Sequence, residues 1–306
     1  MIPQITIIGT GLIGGSLGLA LKQSGFHGRI VGCDRAEVLA LAVKRGAIDV
    51  AELSPELSVC GSQIVVLATP VLAILDLMTR LAPVLSSDAL LTDTGSTKVQ
   101  IVRQAEQIFG GHAEKRFLPG HPMAGKETGG IDQADANLFA GATWILTPPG
   151  GTKSLVSPEF TSGRHGEWIK LLETIGTRIV VLDPERHDRI CTYTSHLPQL
   201  ISTALASTVV DCTENDAALA PLSGGGIRGM VRLAAGDYAM WRDIALTNTR
   251  NLQDALLQME QKLAHIRENL KSRELQREFD RAHELDLETP ADERTEKNDT
   301  GPPKFW

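Results

Sequence analysis

Residues 5–16 read "ITIIGTGLIGGS": an apolar run, glycines at 9, 11 and 14, then the start of an amphipathic segment. The G-x-G-x-x-G spacing says little alone. Here a β-branched strand precedes it, a helical pattern from Leu12 and Ile13 follows it, and Asp34 closes a second apolar run twenty residues beyond Gly14. That context is the dinucleotide-binding fingerprint. Gly9 suits the tight turn, Gly11 lets a pyrophosphate approach the backbone, and Gly14 lets helix and strand touch. The helix start offers unpaired N–H groups and positive dipole to phosphate. An acidic Asp34 accepts hydrogen bonds from both ribose hydroxyls and repels a 2′-phosphate, which predicts NAD. Arg35 offers a cation to that phosphate, so NADP is the alternative.

Outward from residue 16, short β-branched runs alternate with amphipathic segments, the pattern of a parallel α/β sheet. Strands are predicted at Gln4–Ile8, Arg29–Cys33, Gln63–Ala68, Ala89–Thr92, Arg116–Leu118, Thr143–Leu146 and Arg178–Val181, and helices at Leu12–Ser24, Arg35–Arg45, Val71–Leu81, Lys98–Phe109 and Glu167–Ile175. Ligands of such sheets lie beyond the carboxyl ends of the strands. "VVLATP" (65–70) and "LLTDTGSTK" (90–98) end there. Thr69, Pro70 and Asp93 are therefore predicted beside the cofactor, and Ser96 in the same cleft.

After Asp183-Pro184 the strand signals stop. The expected organisation is an α/β Rossmann-type NAD-binding domain over 1–183 and an all-α substrate-binding and dimerisation domain over 184–285. A polar tail, 286–306, is expected to be disordered. Apolar residues at Leu252, Leu256, Met259, Leu263, Ile266 and Leu270 step by 4, 3, 4, 3 and 4, a heptad seam. It fits either an intramolecular bundle or, the favoured reading, a homodimer of paired helices.

The 306 residues carry a net charge of -7 and no basic cluster, which argues against nucleic acid as a partner. Cys33, Cys60, Cys191 and Cys212 form no CxxC pair, and neither a disulfide framework nor a metal site is expected. The start "MIPQITIIG" lacks a basic, cleavable leader. The most apolar stretch, Ile64 to Met78, is interrupted by Thr69-Pro70 and Asp76 and is too short to cross a bilayer. A cytoplasmic enzyme without membrane contact is expected.

Of the eight histidines, His121 stands out in "GHPMAG" (120–125). Pro122 disfavours helix for the residue before it, and Gly120 and Gly125 allow close approach to a ligand. A rigid corner bearing an imidazole is expected, with Ser96 able to orient the ring. His27, His112, His165, His265 and His283 sit in polar, solvated-looking contexts, and His187 in a charged helix start.

These pieces together resemble the prephenate/arogenate dehydrogenase family of tyrosine biosynthesis. The matching segments are "IIGTGLIGGSLGLAL", "DTGSTK", "GHPMAGKETGG" with "LFAGATWILTP", "HDR" with "TSHLP", and "RLAAGDYAMWRDIALTN", in the family's order. The resemblance implies oxidation of the C4 carbinol of a cyclohexadiene acid, hydride passing to NAD(P) as carbon dioxide leaves. It implies that His121 draws the hydroxyl proton, that Ser96 orients it, and that Arg232 clamps a substrate carboxylate. His196, with Ser195 less strongly, would support the pocket. Glu127 and Asp188 match acidic positions of a gating network, and either fits a solvated surface charge as well.

Two departures bear on the substrate. Gln199 stands where many prephenate-using members carry a second histidine, so arogenate is the close alternative. Gly229 replaces a common aspartate, which weakens any role for Arg228. A 3-hydroxy acid dehydrogenase is a remoter reading, because the helices offer no convincing catalytic lysine. An NAD-sensing module would not need His121, Ser96 and Arg232 together.

Overall fold

The computed structural model describes residues 2–126, 128–150, 163–213 and 216–285. Glu127 and the tail 286–306 lie outside them. Two compact units divide the chain, Met1–Gln253 and Asp254–Trp306.

In the first unit β1 (Gln4–Ile8), β2 (Arg29–Cys33), β3 (Val50–Glu52), β4 (Ile64–Leu67), β5 (Leu90–Asp93) and β6 (Phe117–Leu118) form one sheet in the order β3-β2-β1-β4-β5-β6. All five pairings are parallel. The order reverses between β1 and β4, and ligands of such sheets sit in the crevice at that reversal. Ile8 pairs with Cys33 on one side and Leu67 on the other, so Gly9, Asp34 and Ala68 emerge at one edge.

Helices α1 (Leu12–Gln23), α2 (Ala36–Lys44), α3 (Pro55–Ser58), α4 (Val71–Leu81) and α5 (Val99–Phe109) cover both faces. The strands are therefore apolar on both sides, and period two deals alternate residues to two cores. Ile64 and Val66 of β4 join Ile5, Ile7, Leu17 and Ile30, while Val65 and Leu67 join Ile74, Met78, Leu91 and Phe117. Each fully buried Leu or Ile contributes about 1.5–3 kcal/mol.

The glycine loop is built by close contact. Gly9 has φ +92°, a left-handed conformation open mainly to glycine. A Cβ on Gly14 would stand 1.9 Å from the Gly9 carbonyl oxygen and 2.8 Å from Ile7 Cγ2. At Gly11 it would meet nothing within 4 Å, which is the free space a bound pyrophosphate requires.

One expectation is corrected here. The predicted strands do not join a single parallel sheet, because Thr143–Leu146 (β8) and Arg178–Val181 (β9) belong to a second one with β7, Gly120–Pro122. β7 runs antiparallel to β8, with His121 opposite Ile145 and Pro122 opposite Trp144. The expected Gly-His-Pro corner is thus a short strand. Glycine and proline hide it from propensity, and its partner strand supplies the order.

The rest of the first unit is helical. Pro184–Cys191 runs into a π-helical turn, Thr192–His196, then Leu197–Thr213, Gly225–Val231 and Tyr238–Thr247. Tyr238–Thr247 docks on the sheet domain through Asp243, which accepts the Leu72 N–H at 3.2 Å near the start of α4, and through Thr247, whose hydroxyl meets that of Thr97 at 2.7 Å.

The helix Thr249–Glu268 crosses into the second unit, which also holds Arg273–Ala282. There Lys262 Nζ donates to both Glu278 oxygens at 3.0 and 2.8 Å. Leu256, Leu263 and Leu270 of the heptad seam are exposed.

Gly14→Ala should lower stability by about 1–3 kcal/mol through the clash with the Gly9 carbonyl, whereas Gly11→Ala should leave the melting temperature in place. Thermal unfolding of both variants checks this; equal melting temperatures would mean the close contact at Gly14 is not what constrains the loop.

Candidate active site

One cleft of about 570 Å³ gathers residues from the carboxyl edge of the large sheet and from the helices. Leu12, Ile13, Thr69, Pro70, Gly95 and Ser96 line it from the sheet domain, and Gln199, Arg232, Met240 and Trp241 from the helices.

The nucleotide side has the features a dinucleotide needs. No side chain caps the N-terminus of α1. The Thr69 hydroxyl is buried without a partner at the end of β4, and such a group calls for a ligand or water. The Asp34 carboxylate is fixed at the end of β2 by the N–H groups of Thr10 at 2.7 Å and Arg35 at 2.8 Å. The Arg35 side chain is exposed and reaches Glu37 at 3.5 Å, so it is not committed to the cleft.

Asp93 departs from expectation. Its carboxylate is fully buried and takes the Lys98 ammonium, the Gly95 N–H at 2.7 Å and the Gly120 N–H at 3.3 Å. Lys98 also donates to the Gly120 carbonyl at 2.7 Å. Burial pushes the Asp93 carboxyl up and the Lys98 ammonium down, each opposed by the other's charge. Asp93 has no surface to offer a cofactor; its pair closes the 93–98 loop, displays Ser96, and ties β5 to β7.

His121 follows directly. It is 8 % exposed, and its Nδ1 lies 2.8 Å from His187 Nε2. His187 Nδ1 in turn lies 2.8 Å from Asp188 Oδ1. A carboxylate only accepts, so His187 carries its proton on Nδ1 and presents a bare Nε2. The hydrogen between the rings then belongs to His121 Nδ1, and His121 Nε2 keeps its lone pair. The expected orienting partner, Ser96, makes no hydrogen bond to His121 among the described residues, because Nδ1 is already engaged. Ser96 stays at the cleft wall.

Three sequence expectations change accordingly. His187 is fully buried rather than part of a charged surface, and His165 is 2 % exposed rather than solvated. Asp188 is no cleft-mouth gate: at 1 % exposure it accepts the N–H groups of Lys98 at 2.7 Å and Val99 at 3.0 Å, at the start of α5. A carboxylate there satisfies orphan donors and meets the positive helix end.

Ser195 and His196 stand on the π-helical turn. His196 is buried, its Nδ1 lies 3.2 Å from the Asn248 amide nitrogen, and its ring meets Trp241 edge-on at 6.1 Å. Gln199, 5 % exposed, lines the cleft one turn on. Lys98, His187 and Trp241 are the site residues that the motif reading left without a role. The four-residue step from His187 to Cys191 was the available signal, since it puts both on one helix face.

Comparison with known proteins agrees with this geometry. Residues 17–157 match the model described as prephenate dehydrogenase, nucleotide-binding domain, and residues 183–283 the prephenate dehydrogenase dimerization domain. The structure of prephenate dehydrogenase from Aquifex aeolicus in complex with hydroxyphenyl propionate and NAD+ superposes with a TM-score of 0.80 at 33 % identity, covering 93 % of this chain and 96 % of that one. This chain belongs to the prephenate dehydrogenase family.

Among other members, the prephenate dehydrogenase of Lactococcus lactis is 35 % identical over 80 % of this chain; the chain spans 65 % of that relative's length. The arogenate dehydrogenase structure from Synechocystis has 30 % identity and a TM-score of 0.71, covering 92 % of this chain and 97 % of its own. Both prephenate dehydrogenase domain matches contribute to the cleft, Thr69 and Ser96 from the first, Gln199, Arg232 and Trp241 from the second.

Burial lowers the proton affinity of His121 well below the usual histidine range, helped by His187, Lys98 and His196. His196 falls to about 4, chiefly through burial. Between that value and about 6.5 the unfolded chain holds a proton that the fold rejects, so this stability is complete above the window and is lost as pH falls through it. At about 1.4 kcal/mol per unit, His196 should remove about 2 kcal/mol between about pH 7.5 and 5. Thermal unfolding across that range should show a falling melting temperature; a flat profile would mean that the folded ring titrates normally.

Proposed function

We propose that this chain is an NAD-dependent prephenate dehydrogenase, converting prephenate to 4-hydroxyphenylpyruvate in tyrosine biosynthesis. One observation carries the reading: a buried imidazole has its Nδ1 tied to His187, and the strand that bears it is bound through Gly120 to the Asp93–Lys98 pair, whose loop displays Ser96 in a cleft shared by a dinucleotide loop and an arginine.

His121 Nε2 takes the proton of the C4 hydroxyl. Bound NAD supplies the hydride acceptor, and loss of carbon dioxide is driven by the ring becoming aromatic. His187 and Asp188 keep the tautomer, and Ser96 donates to the same oxygen. Arg232 holds a carboxylate, for which a planar, bidentate guanidinium is well shaped. His196, Ser195 and Gln199 serve the substrate side, where the family resemblance also assigns a role to Glu127. Gly9, Gly11, Leu12, Ile13 and Gly14 would hold the pyrophosphate, Asp34 would read the ribose with Arg35 as the route to NADP, and Thr69 and Pro70 would serve the nicotinamide end.

Residues 1–183 serve the nucleotide and 184–285 the substrate and the dimer contact. The exposed Leu256, Leu263 and Leu270 support a homodimer through this seam. Four free cysteines support a cytoplasmic setting, and among the described residues no helix is long and apolar enough to cross a membrane.

Arogenate is the second reading, favoured by Gln199 in the cleft wall, whose carbonyl can accept from an ammonium group. Steady-state kinetics with both substrates and both cofactors decides between them; kcat/KM tenfold higher with arogenate reverses the choice.

His121→Asn should cut kcat by about 10²–10⁴, the usual range for a general base, with NAD affinity nearly unchanged. Undiminished turnover removes His121 from the chemistry. Arg232→Ala should act on KM, with a loss of about 2–4 kcal/mol in substrate binding; an unchanged KM would place the carboxylate elsewhere.

A further inference from the structure

We propose that His121, His187 and Cys191 form a site for a zinc ion, and that zinc there switches the enzyme off. The binding stands on geometry alone; the switching rests on the role given to His121 above.

The three donors are buried at 8 %, 0 % and 1 % exposure and converge from two elements, β7 and the helix Pro184–Cys191. His121 Nδ1 lies 2.8 Å from His187 Nε2, and that nitrogen lies 3.5 Å from Cys191 Sγ. Each residue has a donor atom within 4.8 Å of the other two. Zinc bonds of about 2.0–2.1 Å to nitrogen and 2.3 Å to sulfur set tetrahedral edges of about 3.3 Å between nitrogens and 3.6 Å from nitrogen to sulfur. The His187–Cys191 edge is already there. The two rings must part by about half an ångström, and the thiol must swing toward His121.

The surroundings suit a cation. His187 would ligate through Nε2 while its Nδ1–H stays on Asp188, the carboxylate–histidine–metal arrangement that fixes ring and tautomer in zinc sites. Asp188 supplies negative charge on that side, and Asp93 pairs the nearby Lys98 ammonium. Two imidazoles and a thiolate are a borderline-soft set that selects zinc over magnesium or calcium.

The proton inventory gives the consequence. Zinc binding breaks the Cys191 S–H bond and forms a Zn–S bond, releasing one proton to solvent. At His121 zinc takes the Nδ1 lone pair, and the proton formerly on Nδ1 ends on Nε2. No electrons are transferred. The atom that must accept the substrate proton is then already protonated. Without metal Cys191 is a buried thiol 3.5 Å from His187 Nε2, His121 Nε2 keeps its lone pair, and turnover proceeds.

Cobalt(II) reports the site independently of activity. The reduced full-length protein should take up one equivalent with a thiolate-to-cobalt charge-transfer band and the intense visible bands of a tetrahedral ion, both displaced by zinc. Cys191→Ala should keep basal turnover, lose the charge-transfer band, and weaken zinc inhibition by at least about tenfold. Replacing the exposed Cys60 and Cys212 with serine should change neither signal. Failure to bind one equivalent, or a band that survives in Cys191→Ala, overturns the site. Cobalt uptake lost in that variant without any zinc inhibition of the parent enzyme overturns the switch and leaves the site. A chain inactive on both cyclohexadiene acids would still answer the cobalt titration.

Discussion

The carboxylate of Asp188 collects three donors in a place that water hardly reaches: two backbone N–H groups at the start of α5 and the Nδ1–H of His187. A buried charge of this kind is costly unless its lone pairs are filled. Here they are filled by groups that themselves need partners, so one side chain settles three problems. It satisfies a helix end, fastens the helical half of the first unit to the sheet half, and fixes the tautomer of the histidine that touches His121. Removing it would leave two amides orphaned and the ring free to present the wrong nitrogen.

The buried Lys98–Asp93 pair does comparable work on the sheet side. Such pairs are rarely strong contributors to stability, because desolvation offsets most of the attraction. Their value is geometric. This one draws the end of β5 and the start of β7 together across the parting of two sheets, and it leaves the 94–97 segment as a tight loop facing the cleft. The His121 ring is thereby anchored from the backbone side by β7 and from the Nδ1 side by His187.

Most of the fold was legible in the sequence, and for definable reasons. β1, β2, β8 and β9 are bounded by glycine or charged turns, and their apolar runs coincide with the strands residue for residue. The glycine loop was equally plain, since each glycine answers a specific contact. What stayed hidden is what pairing and burial create: β3 and β7 are three-residue strands without propensity, ordered only by their neighbours. His187 and Asp188 sit among Glu185, Arg186 and Arg189, and local composition hides that one face of this turn points inward. Asp93 looked like a ligand group because it ends a strand, yet Lys98, five residues on, claims it. The cleft residues Thr69, Ser96, Gln199 and Arg232 were foreseeable from strand ends and motifs, whereas Trp241 lay inside a quoted motif without any signal for its role.

β7 lies at the free margin of its three-stranded sheet, and free margins invite other chains to add a strand. Pro122 has no N–H to offer such a visitor, and Gly120 is already occupied by the Asp93 carboxylate. The tripeptide that carries the imidazole therefore also refuses intermolecular pairing, which lets a short, otherwise sticky ribbon stand at a sheet edge without seeding aggregation.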